Sequence, residues 1–461
     1  MVHPARIRPA NDAPVRPGGR YVLYWMTAAR RSRHNPALER AVALCAELGR
    51  PLLVFEGLRS VYPHASPRFQ AFVAEGMADN AAAFAARGVS YIPWLESDPA
   101  QGGRVFAELA AGAALIVADD APVFFLPRMV AAAAARAGVR VEAVDGWGLL
   151  PVSSPGRAYG RAVDFRRHLQ RALGPFLEAM PLADPLAAYA AGPATSPVAP
   201  RQERAALLPG GVGPVALRGG EIAARAALAA FAPRLARYGA ERSHPDADAA
   251  SGLSPYLHWG HISAFEVFET LAAGAFPVPA AGSREGGWGG HPAESFLDQL
   301  VTWRELCANT AHFLPDYTGF ASLPAWALAT LDKHRADART TYTLTELDEA
   351  RTDDPVWNAA QRQLREEGTI QNYLRMLWGK RVLGWSATPE EAWERLVWLN
   401  NRWAIDGRDP NSWGGIAWVF GRYDRPWAPE RPVLGSLRFM TSASAVRKLR
   451  MRAWLQRWSK V

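Results

Sequence analysis

Between Trp357 and Trp418 the chain concentrates side chains that can move or stabilise charge. Trp378 and Trp385 lie seven positions apart in a helical pattern running from Gln371 to Trp385, which puts both indoles on one face, and Trp357 belongs to the helix before it. Neighbouring indoles are ordinary core material in a large helical domain. They are also good one-electron donors, so beside a redox cofactor the same three side chains could carry electrons. Arg375 and Met376 sit on that helix, and the acidic pair Asp406 and Asp409 follows a helix that ends near Asn400-Asn401. A buried guanidinium requires such a partner. The group reads either as a structural ion pair or as the brace for a polar heterocycle, because carboxylate, guanidinium and amide at one helix end suit several hydrogen-bonding edges.

Further along, Phe296 to Leu306 reads as an amphipathic helix with Gln299 and Trp303 four apart on one face. Together with Trp418, two indoles and an amide could line a slot for flat bases, or they are core tryptophans beside a solvated glutamine. Ser251-Gly252-Leu253-Ser254-Pro255 joins small hydroxyl residues to a helix start, with Ser254 the expected cap and Pro255 the first helical residue. Exposed amides there can hold phosphate, although a plain capped helix explains the pattern equally. His258 and His261 lack a third ligand at a supporting interval, so no metal site is expected. Ser251 and Ser254 have no His/Asp arrangement to activate them as nucleophiles. From Arg447 to Lys460 basic residues interleave with Leu449, Trp454 and Leu455, a solvated face or a phosphate-contacting one.

These side chains need a scaffold, and 461 residues at 49% hydrophobic are enough for two or three domains. The net charge of +8 permits an acidic partner such as nucleic acid without demanding one. Cys45 and Cys307 stand alone in apolar patterns, which excludes a disulfide framework and a CxxC metal site and fits a reducing cytoplasm. Met1 to Arg20 is rich in Pro and Arg, with no apolar core for a secretory signal, and reads as a disordered arm. No run of about 18 apolar residues is present, so a soluble protein is expected.

Tyr21 to Trp25 is a short apolar run suited to a buried strand. Asn35 and Pro36 then open a helix that Gly49 stops. Strands follow at Pro51 to Phe55, Val89 to Trp94, Ala114 to Ala118 and Val139 to Val144, with helices over Ser66 to Arg87 and Met129 to Ala137. The alternation predicts a parallel, Rossmann-like sheet covered on both faces over 21–150, although no GxGxxG follows the first strand. Pro, Gly and Ala accumulate over 151–220, as in Gly192 to Pro197 and Pro209-Gly210-Gly211, which predicts an interdomain connector. From Glu221 onward the pattern is helical, through Ile222 to Tyr238, Phe265 to Leu271, Ser295 to His312, Val356 to Glu366 and Gln371 to Trp385. The fold class is therefore α/β followed by an all-α domain over 221–461.

At these motifs the chain resembles the photolyase/cryptochrome family, and within it the class II cyclobutane pyrimidine dimer photolyases. The likeness runs from Tyr21-Val22-Leu23-Tyr24-Trp25-Met26 through Leu253 to His258 and Asp354 to Gln361, then to Asp406-Gly407-Arg408-Asp409-Pro410-Asn411 and Asp424-Arg425-Pro426-Trp427. It implies an antenna domain, with a deazaflavin or similar chromophore as a candidate pigment, and a helical domain holding FAD. By position, Tyr238, Ser251, Leu253, Ser254 and Arg304 look like phosphate and ribose contacts. Arg375, Asp406 and Asp409 look like charges beside the isoalloxazine, and Asn400 like the amide facing its reactive nitrogen. Trp357, Trp378 and Trp385 fall where class II enzymes place electron-transfer tryptophans. Gln299, Trp303, Met376 and Trp418 match the lesion pocket.

The resemblance implies a monomer that repairs pyrimidine dimers in UV-damaged DNA by light-driven electron transfer. Two departures stand out. Gln299 replaces the usual pocket glutamate, and a neutral amide can donate to a carbonyl but supplies neither a proton nor a negative charge. Ile370-Gln371-Asn372 stands where class II proteins typically have Met-His-Gly, and the missing histidine weighs against the (6-4) photoproduct as substrate. The competing expectations are a cryptochrome-like blue-light receptor with weak or no repair, favoured by Gln299, and a dark electron-transfer flavoprotein.

Overall fold

The computed structural model describes residues 1–96, 101–201, 211–272, 274–275 and 287–459. Pro209-Gly210 of the connector and Lys460 of the basic tail lie outside the described residues. Two compact units are formed. One gathers Met1–Gly156, His168–Ala232 and Gly252–His291, the other Arg157–Arg167, Pro233–Ser251 and Pro292–Val461.

The first unit is built on a sheet of β1 (Ile7–Pro9), β2 (Tyr21–Met26), β3 (Leu52–Leu58), β4 (Ser90–Leu95), β5 (Ala113–Asp119) and β6 (Val141–Val144), ordered β1-β6-β5-β2-β3-β4. β2 to β6 run parallel and β1 pairs antiparallel with β6. Every residue of β2 is buried, as the continuous apolar run requires of a strand covered on both faces. On one face Leu23, Leu53 and Ile116 pack with Val105, Phe106 and Leu109. On the other, Val22, Tyr24, Leu52 and Val117 pack with Leu38, Ala41 and Cys45. The helix Pro36–Leu48 starts as read: the Asn35 side chain accepts from Leu38 N–H, and Gly49 ends it at φ 62°.

The turn after β2 explains the missing glycine fingerprint. Asp119, at the end of β5, accepts from the backbone N–H groups of Thr27, Ala28 and Ala29 at 2.7, 2.7 and 2.9 Å and from the Tyr24 hydroxyl at 2.8 Å. In dinucleotide-binding sheets such amides receive a phosphate. Here the chain's own carboxylate fills the place.

Four expectations change. The arm over 1–20 is not disordered: Ile7–Pro9 extends the sheet, and the Arg16 guanidinium donates to the carbonyls of Ala110, Ala111 and Ala113. A three-residue edge strand carries no apolar pattern for a sequence reading to find. A helix at Gln101–Gly112 was not expected, because alanine and glycine dilute the face marked by Val105, Phe106 and Leu109. The connector includes the helix Ala162–Ala172, whose Phe165 and Leu169 are buried one turn apart. The stretch Ile222 to Tyr238 is broken into Glu221–Phe231, a 3-10 turn Ala232–Arg234 and Leu235–Glu241, since Pro233 has no N–H to continue the ladder.

The units also divide the helices differently from a boundary at 221. Glu221–Phe231, Ser254–Trp259 and Ala264–Ala272 group with the sheet. Polar contacts bind them there. The Glu221 carboxylate accepts from Ser32 N–H at 2.7 Å, and the Arg31 guanidinium donates to the Gly260 carbonyl at 3.1 Å. His261 belongs to this core: Nδ1 accepts from Gly220 N–H at 2.9 Å, and burial pushes the imidazole down to about 3.

In the second unit, the stretch expected as one helix from Ser295 to His312 is Glu294–Leu297, a π-helical segment Asp298–Trp303 and Arg304–Phe313. The Arg304 N–H reaches the Gln299 carbonyl, five residues back. The helices Pro355–Glu367, Asn372–Gly384, Pro389–Trp403 and Pro410–Val419 complete the part that carries the chemistry.

Candidate functional site

Asp354 caps the helix Pro355–Glu367 by accepting from the N–H groups of Val356 and Trp357, both at 3.1 Å, and so sets where Trp357 begins. Trp357 is 1% exposed, and its ring lies on Trp378 with centroids 6.2 Å apart and planes 3° apart. Trp385 meets Trp357 edge-on at 5.5 Å and 76°. Trp357 is therefore the middle of the three. Both inner indole N–H groups are satisfied: Trp357 Nε1 donates to the Trp378 carbonyl at 3.0 Å, and Trp378 Nε1 to Gln361 Oε1 at 3.0 Å. Gln361, fully buried, donates in turn to the Asp348 carbonyl at 3.2 Å. At the outer end the Arg381 guanidinium lies 4.3 Å above Trp385, and Tyr342 meets the same ring edge-on at 5.1 Å.

One turn before Trp378, Arg375 pairs with Asp406 through Nη2, at 3.0 and 3.3 Å from the two carboxylate oxygens. Asp406 begins a tight turn. A Cβ on Gly407 would fall 2.9 Å from the Ala404 carbonyl oxygen and 3.1 Å from that of Asn400, so glycine is required there. Arg408 follows at φ 70°, its N–H held by Asn401 Oδ1 at 3.0 Å, a left-handed backbone of the kind that clusters at functional sites. Asp409 caps Pro410–Val419, accepting from Asn411 N–H at 2.7 Å. The Asn400 amide donates to Asn401 Oδ1 at 3.1 Å and to Ser412 Oγ at 2.6 Å, while among the described residues its carbonyl oxygen accepts no hydrogen bond. Guanidinium, carboxylates and a half-used amide thus converge at one helix end, a donor set that fits a heterocycle with several polar edges.

Met376 and Trp418 lie on helices that touch. The Met376 methyl is 3.4 Å from where a Gly415 Cβ would be, and a Cβ on Gly379 would come within 2.5 Å of Val419 Cγ2. Trp303 meets Tyr423 edge-on at 6.2 Å, and the Tyr423 hydroxyl shares a 2.7 Å hydrogen bond with Thr310 Oγ1. Gly414 packs on Cys307 and Tyr423, so the Trp418 helix is seated against the helix that follows Trp303. Gln299 is half-buried in the π-helical segment, and among the described residues its amide makes no hydrogen bond. Its neighbour Asp298 is held by the Arg166 guanidinium at 2.7 and 3.1 Å.

The remaining sequence candidates fall in both units. Tyr238, Ser251 and Arg304 belong to the second unit, Leu253 and Ser254 to the first. Tyr238 meets Phe296 edge-on at 5.3 Å beneath the Arg242 guanidinium, and burial pushes its phenol up. Ser254 is not the cap: the helix begins at that residue, with Leu253 in the capping position. Gln371, read as a change in the pocket, caps its helix by accepting from Leu374 N–H at 2.9 Å and donates to the Arg242 carbonyl at 2.5 Å. The basic tail is partly neutralised, Arg450 by Glu241 and Arg457 by Glu367. No group of three metal-ligating side chains occurs among the described residues. No helix among them is long and apolar enough to cross a membrane.

Sequence reasoning missed Gln361, Ser412, Arg166 and Lys380 as parts of this constellation. Gln361, four residues after Trp357 on one helix, carried a detectable signal. The others are brought in by hydrogen bonds and an ion pair that only the tertiary fold creates.

No protein-family model matches the chain. The deoxyribodipyrimidine photo-lyase of Methanothermobacter thermautotrophicus is 34% identical over 99% of this chain and 98% of its own length. That of Oryza sativa subsp. japonica is 31% identical over 98% of this chain and 90% of its own. Among solved structures, a bacterial class III photolyase from Agrobacterium tumefaciens superposes with a TM-score of 0.74 at 19% identity, covering 95% of this chain and 86% of that one. A Synechocystis cryptochrome does so with a TM-score of 0.68 at 14% identity, covering 95% and 88%. At those identities the two structures speak for the fold.

Proposed function

The chain belongs to the deoxyribodipyrimidine photo-lyase family and has the fold of photolyases and cryptochromes, and from that premise we propose that it is a class II type, FAD-dependent enzyme that splits cyclobutane pyrimidine dimers in UV-damaged DNA under light. Arg375, Asp406, Asp409 and Asn400 would hold the flavin ring. The open carbonyl oxygen of Asn400 and the Arg375–Asp406 pair support that fit. A bound, reduced flavin would supply light-driven one-electron chemistry at this place.

The chain's own residues do the rest. Met376, Trp303 and Trp418 offer apolar walls for an extruded pyrimidine pair, whose weakened stacking lowers the cost of leaving the duplex. Gln299, whose amide makes no hydrogen bond among the described residues, can donate to a pyrimidine carbonyl. Trp385, Trp357 and Trp378 would offer electrons from an external reductant a path of adjoining indoles toward the Arg375 end of their helix. The net charge of +8 favours a DNA backbone and gives binding a salt-dependent part. One chain per lesion suffices.

The observation that carries this reading is the unbroken indole path from Trp385 through Trp357 to Trp378, ending one helical turn from Arg375. A cryptochrome-like photoreceptor would keep the same path, and Gln299 favours it. Illumination of the reduced protein with a dimer-containing oligonucleotide decides: restored thymines support repair, and unchanged dimer with the flavin demonstrably reduced sinks it in favour of the receptor.

A further inference from the structure

Lys380 is a cation where helices usually keep none. It lies on Asn372–Gly384, one turn beyond Met376, and its side chain is 2% exposed. Nζ donates to the carbonyl of Val419, the last residue of the Trp418 helix, at 2.5 Å and stands 5.2 Å from the centre of the Trp418 ring. Three successive points on the Met376 helix thus engage the Trp418 helix: Met376 against Gly415, Gly379 against Val419, and Lys380 against Trp418 and Val419. The first two are apolar contacts, which let a ring turn. The third is directional, because an ammonium prefers the face of an indole and a fixed carbonyl.

We propose that Lys380 is a positioning residue for the flipped pyrimidine pair, its ammonium clamping the Trp418 indole so that this wall of the pocket is preformed before the lesion enters. The proposal rests on the reading of Met376 and Trp418 as lesion walls. A wall already ordered is not ordered at the expense of binding, which is how preorganisation gains affinity. The clamp depends on charge, and burial pushes the Lys380 ammonium down to about 7. The facing charged groups are Asp424, which favours the cation, and Arg438, which opposes it; Arg438 also lies 5.9 Å over Trp418. Below about pH 7 the clamp is closed. Above it the amine can still donate to Val419 but has lost its hold on the ring.

The test is binding of the full-length protein to a dimer-containing oligonucleotide and to its undamaged counterpart, between about pH 6 and pH 8.5. Wild-type preference for the lesion should fall about five-fold as pH rises, with its midpoint near 7. Lys380→Met should show the weak preference throughout, and Lys380→Arg, which cannot lose its charge, the strong one throughout. A flat wild-type profile, or a Lys380→Met profile that still bends near 7, overturns the proposal. A second readout needs no DNA. The part of the fluorescence removed by Trp418→Phe should step with pH in wild-type protein and stay level in Lys380→Met. If no variant prefers the lesion at any pH, the repair reading fails, and this step alone judges the clamp: its absence from wild-type protein rejects it.

Discussion

The rings of Trp357 and Trp378 lie 6.2 Å apart and 3° from parallel, and the Trp357 N–H is bonded to the backbone carbonyl of Trp378 itself. Each indole is held by its own N–H, that of Trp357 by this carbonyl and that of Trp378 by Gln361 Oε1. Trp385 meets the same Trp357 ring edge-on, so Trp357 touches both of the others.

Replacing Trp357 by Phe should consequently slow photoreduction of the oxidised flavin more than replacing Trp385, with flavin content unchanged in both. Trp378→Phe should slow it as well, and should cost about 1–3 kcal/mol of stability by stranding the buried Gln361 carbonyl oxygen. Photoreduction kinetics and denaturant unfolding measure the two effects. Equal photoreduction rates in wild-type and Trp378→Phe protein would exclude the indole path.

Gln299→Glu puts a carboxyl group where the family resemblance implies one in the proposed lesion pocket. Since the amide makes no hydrogen bond among the described residues, the substitution should leave stability within about 0.5 kcal/mol and raise dimer repair per absorbed photon. No gain would mean that the pocket serves another ligand.

Asp406→Asn leaves the Arg375 guanidinium without its carboxylate in a largely buried place. The loss should be on the order of 3 kcal/mol, accompanied by weaker flavin retention in the visible spectrum. Full retention would show that Asp406 has only a structural part.

The pH dependence of stability can isolate Lys380. Its ammonium is pushed down from 10.5 to about 7 by burial. A base whose folded pKa is depressed costs stability in full below the folded value. The cost fades as pH rises toward the unfolded value, because between the two only the unfolded chain takes up the proton. Lys380→Met removes that cost and one hydrogen bond, so below pH 7 it should be more stable than wild-type by on the order of 2–4 kcal/mol. The advantage should shrink by about 1.4 kcal/mol for each pH unit above 7. Unfolding in denaturant at several pH values checks the slope, and a variant less stable than wild-type at every pH would contradict a depressed ammonium.

What the residues decided alone was local. Asn35-Pro36 and Gly49 bound a helix because cap, first-turn proline and left-handed glycine act within a few residues, and the run Tyr21 to Met26 is a buried strand because its side chains are apolar or aromatic on both faces. Arg375 needed a carboxylate, and the sequence offered Asp406 as a candidate, which is the one it pairs with. Tertiary structure decided the remainder. Periodicity placed Trp378 and Trp385 on one face but could not say that Trp357, from another helix, stands between them. Nor could it show that Asp119 would fill its own sheet's phosphate place, that a π-helical segment would carry Gln299, or that Lys380 would turn inward. The reason is that spacing encodes which side chains share a surface. Which two surfaces meet is settled by close packing between segments far apart in the chain, where one glycine such as Gly379 or Gly414 determines how near two helices can come.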